Sequence, residues 1–155
     1  MGAQFDTGDP TAGNGLEANE WYHFAVTYDA ATGTSLLYKN GTQIASLVTA
    51  TGQPMIIDKL QMFSSTEFRD ACDMCQVRLW KVTRSANQIR KGMYSEVEYT
   101  NTDLILYLPM NDGEGATTLR DVTGNGHDVE IGNLKPSSPN HADVTWETYT
   151  FALNN

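Results

Sequence analysis

The densest run of oxygen ligands in the chain lies in LYLPMNDGEGATTLRDVTGNGHD, residues 106–128, where Asp112, Glu114, Asp121, Asn125 and Asp128 fall among glycines. Hard oxygens on a flexible loop are the donor set that calcium takes, roughly six to eight at a time with backbone carbonyls included. The spacing is not that of an EF-hand, which needs acids at alternate positions and a closing Glu. Asp112, Glu114, Asp121 and Asn125 would form the metal set, with calcium as the cofactor. A purely architectural reading competes with it. In that reading Asp121 accepts from the amides that follow it in an Asx-type turn, and Gly124 and Gly126 take positive φ.

Paired carboxylates are the next chemistry to test. Glu96 and Glu98, in SEVEYTNTD, stand two apart, and a retaining glycosidase needs two carboxyl groups about 5–5.5 Å apart. This stretch follows a helical pattern as a connection, lacks a third acid, and has only Tyr94 and Tyr99 as aromatic neighbours. A solvated acidic connection accounts for it. Neither a Ser-His-Asp ordering, a phosphate-binding loop nor a dinucleotide fingerprint occurs. No catalytic residue is assigned, and the expectation is a protein that is not an enzyme.

Stacking and soft-ligand chemistry remain. Trp21, Trp80 and Tyr38 are aromatics of the kind that stack on the apolar C–H faces of sugar rings, and each could equally fill a core. Trp80 favours the core, because its strand runs into the helical pattern, whereas Tyr38 stands beside a turn. Trp21, Tyr38, Asn40, Asp112 and Asn125 make up the expected ligand-binding set. His23, inside a strand, reads as a structural imidazole, and Arg78, in an otherwise apolar strand, requires a partner for its charge. Cys72 and Cys75 lack a second cysteine pair for zinc. On a straight strand at ~3.3 Å per residue their Cα atoms would stand about 10 Å apart, too far for a disulfide. They read as structural thiols.

The elements that must hold these residues follow a period of two. WYHFAVTYD (21–29) alternates Tyr22, Phe24, Val26 and Tyr28 against His23, Ala25 and Thr27. TSLLYKNGTQIASLV (34–48) is a hairpin around Asn40-Gly41, the pair that supplies both positive-φ residues of a type I′ turn. A two-residue loop pairs Lys39 with Thr42 and Leu37 with Ile44. Further strands are expected over 55–63, 74–82, 103–110 and 144–153, with loops over 64–71 and 132–143. In TRSANQIRKGM, Ser85 and Gln88 form a capping box and Ile89 with Met93 an apolar edge, which predicts a helix of about two turns. Short strands, turn signals and one small helix mean an all-β antiparallel sandwich.

With 155 residues, 40% of them hydrophobic, the chain has the length of one domain and buries roughly two-thirds of its unfolded surface. Its net charge of −9 repels phosphate backbones and anionic surfaces, so neither nucleic acid nor a membrane is expected as a partner. No apolar run reaches the roughly 18 residues needed to cross a bilayer, and no signal peptide is present. The opening MGAQFDTGDP reads as an internal point of a longer protein preceded by an initiator Met.

The strand motifs carry a resemblance. WYHFAVTYDAATGTSLLYKNGTQIAS resembles the central hairpin of laminin-G-like domains, the concanavalin-A-like jelly rolls, through Trp21, His23, Ala25, Tyr28, Asp29, Tyr38, Asn40 and Gly41. CQVRLWKVTRSANQI is similar to the family's V-R-I-W strand and following helix, through Val77, Arg78, Leu79, Trp80, Arg84 and Ile89. Residues 104–128 resemble its acidic-turn and D-x-T-G-N-G signature, with Leu108 where the family usually shows Trp. TWETYTFALNN is similar to the ending of a branch found on surface proteins of carbohydrate-degrading gut bacteria.

The resemblance implies one jelly-roll domain over 1–155, divided into an irregular lead-in (1–20), central strands and helix (21–95), and closing strands and loops (103–155). Its first strands would be missing, leaving an open sheet edge able to pair with a second copy or a neighbouring domain. The implied function is a non-catalytic carbohydrate-binding or adhesion module of a larger secreted or cell-surface protein, its partner a glycan or a surface protein. The alternative is a structural or protein-interaction module without a sugar site.

Overall fold

The computed structural model describes residues 16–17, 19–49, 51–52 and 73–130, and among these lie three antiparallel sheets and one helix. The expected strands over 55–63 and 144–153, the loops over 64–71 and 132–143, Cys72 and most of the lead-in lie outside the described residues. The chain divides into two compact units. One comprises Met1–Asp58 with Thr83–Val97, the other Lys59–Val82 with Glu98–Asn155.

In the first unit, β1 (Phe24–Asp29), β2 (Thr34–Lys39) and β3 (Thr42–Val48) form a sheet in the order β1-β2-β3. Asn40 and Gly41 have φ of 49° and 73°, the positive pair that a type I′ turn requires, and Lys39 faces Thr42 as expected. The register then departs from expectation. It shifts between Leu37 and Tyr38, so Leu37 faces Ala45 and Ile44 is the extra residue. The strand expected from residue 21 begins only at Phe24. Asn40 turns back on its entrance instead: its N–H donates to the His23 carbonyl at 2.8 Å, and its Oδ1 accepts from the His23 N–H at 2.8 Å.

Burial along β1 does not follow apolar character. Phe24 and Val26 are exposed, while Thr27, on the opposite face, is buried. The face bearing Thr27 shares a recess with Thr83, Arg84 and Ser85, the residues that lead into α1 (Ala86–Gly92). Ser85 caps the helix, its hydroxyl accepting from the Gln88 N–H at 3.3 Å while Gln88 Oε1 accepts from the Ser85 N–H at 2.8 Å. Thr83 Oγ1 donates to the Tyr28 carbonyl of β1 at 2.6 Å, and Arg90 Nη1 to the Gly41 carbonyl of the β2–β3 turn at 3.1 Å, so the segment is tied to the sheet at both points. At Gly41 a Cβ would stand 2.3 Å from Arg90 Cγ, which makes glycine necessary there for space as well as for φ. Among the described residues of this unit, Leu37, Tyr38 and Ile89 are the buried apolar ones.

In the second unit, β4 (Val77–Trp80) pairs with β5 (Leu104–Leu108), and β6 (Thr118–Leu119) with β7 (Val129–Glu130). The burial falls on β5, where Leu104, Leu106, Tyr107 and Leu108 are all buried. Leu108 thus fills a core position with an aliphatic side chain. Arg78 faces Tyr107 across the ladder, lies 5.0 Å from its ring centroid, and donates to Gln76 Oε1. Cys75 is a free thiol. Burial pushes its pKa up, against a smaller opposing pull from the Arg78 charge, so it is a poor nucleophile.

Candidate functional site

The acidic Gly-rich loop is built around one carboxylate. Asp121 is buried, and its Oδ1 accepts from the Thr123 N–H at 3.1 Å, an Asx turn, and from the Thr123 hydroxyl at 2.7 Å. The same oxygen accepts from the Tyr107 N–H of β5 at 3.1 Å, and Oδ2 accepts from the His127 N–H at 3.2 Å. Burial alone would raise the Asp121 pKa. The Thr123 hydroxyl and the amides of Tyr107, Thr123 and His127 outweigh it and hold the carboxyl below its ordinary value. Gly124 and Gly126 have φ of 80° and 77°, as the architectural reading requires.

This loop takes the place of a strand beside β5. Besides the Tyr107 amide, it satisfies the Tyr107 carbonyl through Val122 N–H at 3.0 Å. Asn125 Nδ2 donates to the Ile105 carbonyl at 2.8 Å and to the Leu104 carbonyl at 3.3 Å. Backbone groups that an unpaired edge would leave open are therefore closed by side chains and turns.

The expected metal set does not converge. Asp121 is occupied by N–H and O–H donors, Asp112 accepts from the Arg120 N–H at 3.3 Å, Asn125 is turned to β5, and Glu114 is exposed on its own turn. Among the described residues no group of three or more His, Cys, Asp or Glu side chains lies close enough to hold a metal ion. In the expected ligand set, Asn40 and Asn125 serve the backbone, as shown, and Tyr38 is 5% exposed, so its ring offers no open stacking face. Trp21 is 40% exposed. Glu96 and Glu98 are both exposed.

A recess of about 370 Å³ opens in the first unit. Its floor is the face of β1 and β2 that α1's lead-in partly covers: Thr27 opposite Leu36, Asp29 opposite Thr34, and Tyr38 beyond them. Thr83, Arg84 and Ser85 form its wall and Thr32 its rim. The wall hydroxyls are used by the fold, Thr83 on the Tyr28 carbonyl and Ser85 on the helix cap. On the floor, Asp29 Oδ1 accepts from the Ala31 N–H at 2.9 Å. Sequence reasoning singled out only Tyr38 of the floor. The alternation Thr27-x-Asp29 facing Thr34-x-Leu36-x-Tyr38 was available in the sequence, but only the strand register shows that these residues share one face.

A model of the concanavalin A-like lectin/glucanases superfamily, Laminin_G_3, matches residues 2–90. The chain belongs to this superfamily. Its fold class is accordingly the family's all-β sandwich, and the resemblance carried by the strand motifs holds. No curated protein matches the sequence. Among solved structures, a crystal structure described as "a putative carbohydrate binding protein" from Bacteroides ovatus matches with a TM-score of 0.52 and 28% identity over 72% of this chain. The chain spans 34% of that protein's length. Among the described residues no helix is long and apolar enough to cross a membrane.

Proposed function

We propose that this chain is a non-catalytic carbohydrate-binding module of a larger extracellular or cell-surface protein. The observation that carries the reading is the likeness, over most of the chain, to a solved gut-bacterial structure described as that of a carbohydrate-binding protein. Family membership is consistent with it but hosts glucanases as well as lectins. Against catalysis stands the placement of the acidic pair weighed in the sequence, since Glu96 and Glu98 are both exposed on a connection. Calcium is not required in this reading, because the carboxylate at the centre of the acidic loop is already satisfied by protein donors. A glycan array, probed with the intact chain in calcium and in chelator, tests the proposal. Binding in both conditions is expected, and silence across the array sinks the reading.

One observation favours a second reading, a protein-interaction module without a sugar site. Among the described residues β1 is the edge of its sheet; Phe24 and Val26 on it are 39% and 54% exposed, and Trp21, just before it, 40%. Light scattering separates the two, since pairing through this edge yields a dimer whose population depends on concentration.

A further inference from the structure

We propose that the recess on the β1–β2 face is the sugar site, and that it takes one neutral hexose ring at the end of a glycan; this rests on the carbohydrate-binding reading above. The polar groups of the floor support the assignment. Thr27 and Tyr38 are 7% and 5% exposed, and both line the recess. Among the described residues no hydrogen bond engages the hydroxyl of either, nor that of Thr34. The side chains are thus largely buried while their hydroxyls, not among the buried unpartnered atoms, open to the recess, where an incoming partner can reach them. This contrasts with the hydroxyls of the wall, which the fold already uses.

The chemistry of the floor selects the ligand. Thr27, Thr34 and Tyr38 each donate or accept through a rotating hydroxyl, which matches a ring bearing hydroxyls that do both. Asp29 keeps Oδ2 beyond its bond to Ala31, an acceptor for a sugar O–H with the strength of a charged partner. Leu36, half-buried on the same floor, supplies the apolar patch on which the C–H side of a ring rests. A volume near the lower end of the roughly 300–1,000 Å³ range of ligand pockets limits the site to a short unit. Asp29 and the net charge of −9 disfavour uronic acids and sulfated sugars despite Arg84 on the wall.

The test is a titration of the isotopically labelled 155-residue chain with methyl glycosides of glucose, galactose and mannose, and separately with methyl glucuronide, followed by amide NMR. The expected result is saturable shifts over residues 27–38 and 83–85 with at least one neutral hexose, and weaker or no shifts with the glucuronide. Thr27→Val removes an unengaged hydroxyl and keeps the side-chain shape, so the variant remains folded; its affinity falls about tenfold or more, with unchanged amide dispersion. Shifts confined to other residues, tighter binding of the glucuronide, or unaltered affinity in Thr27→Val each overturn the recess proposal. The carbohydrate-binding reading is judged separately by the array. Array binding without a response in the recess removes this site and leaves that reading standing.

Discussion

The acidic loop of residues 112–128 and the recess on the β1–β2 face are both rich in carboxylates and hydroxyls, yet they differ in what those groups touch. In the loop, Asp121 accepts from four protein donors, and Asn125 holds two carbonyls of β5. On the floor of the recess, buried Thr27 and Tyr38 keep their hydroxyls outside the described hydrogen-bond network. Oxygen density therefore does not mark function. The cluster centred on Asp121 serves the architecture beside β5, while the hydroxyls of the recess are the ones the proposal assigns to a ligand.

Breaking the loop should have the largest effect. Asp121→Ala leaves the Tyr107, Thr123 and His127 amides without their acceptor, and is expected to destabilise the fold by about 3 kcal/mol, read as a lower denaturant midpoint. The same carboxylate gives the comparison a pH signature. Its folded pKa lies below its unfolded value of about 3.9, so its contribution is complete above that value and is lost as pH falls further, through the folded pKa. Urea melts at pH 7 and pH 3 should show a loss of stability that is smaller in Asp121→Asn; an equal loss in both proteins would mean that other carboxylates carry the acid sensitivity.

Smaller effects probe the recess. Gly41→Ala forces a side chain to positive φ and against Arg90 Cγ, which loosens the helix whose lead-in walls the recess; about 1–2 kcal/mol of stability should be lost, with sugar affinity falling in step. Tyr38→Phe deletes one hydroxyl and keeps the ring. Its stability should stay within about 0.5 kcal/mol of the parent while sugar affinity drops, a split that a purely structural tyrosine would not produce. The smallest expected effect is that of chelator, which should leave the thermal midpoint unmoved; a clear fall would restore calcium to the loop and reverse the contrast between the two regions.

Much of the local structure was legible because its causes are local. Asn40-Gly41 makes its turn by φ preference, Ser85 and Gln88 cap α1 across three residues, and Asp121 reaches Thr123 two residues on. Reading failed where the partner is distant. The bulge beside Tyr38 shifts Ile44 out of its expected pairing, and nothing within the hairpin sequence marks it. The alternation of β1 sorts its residues into a Phe24-Val26 face and an Ala25-Thr27 face, but it does not say that Thr27 is buried while Phe24 and Val26 are exposed.

What the sequence alone determined, then, is the set of elements, the turn and cap chemistry, and membership of a lectin-like superfamily, since these depend on residue types a few positions apart. Only the tertiary structure decided which polar groups are spent on the fold. That outcome depends on Tyr107 reaching Asp121 and on Thr83 reaching Tyr28 across long stretches of chain. Hydrogen bonding saturates, so an oxygen's availability to a ligand is known only when all its neighbours are.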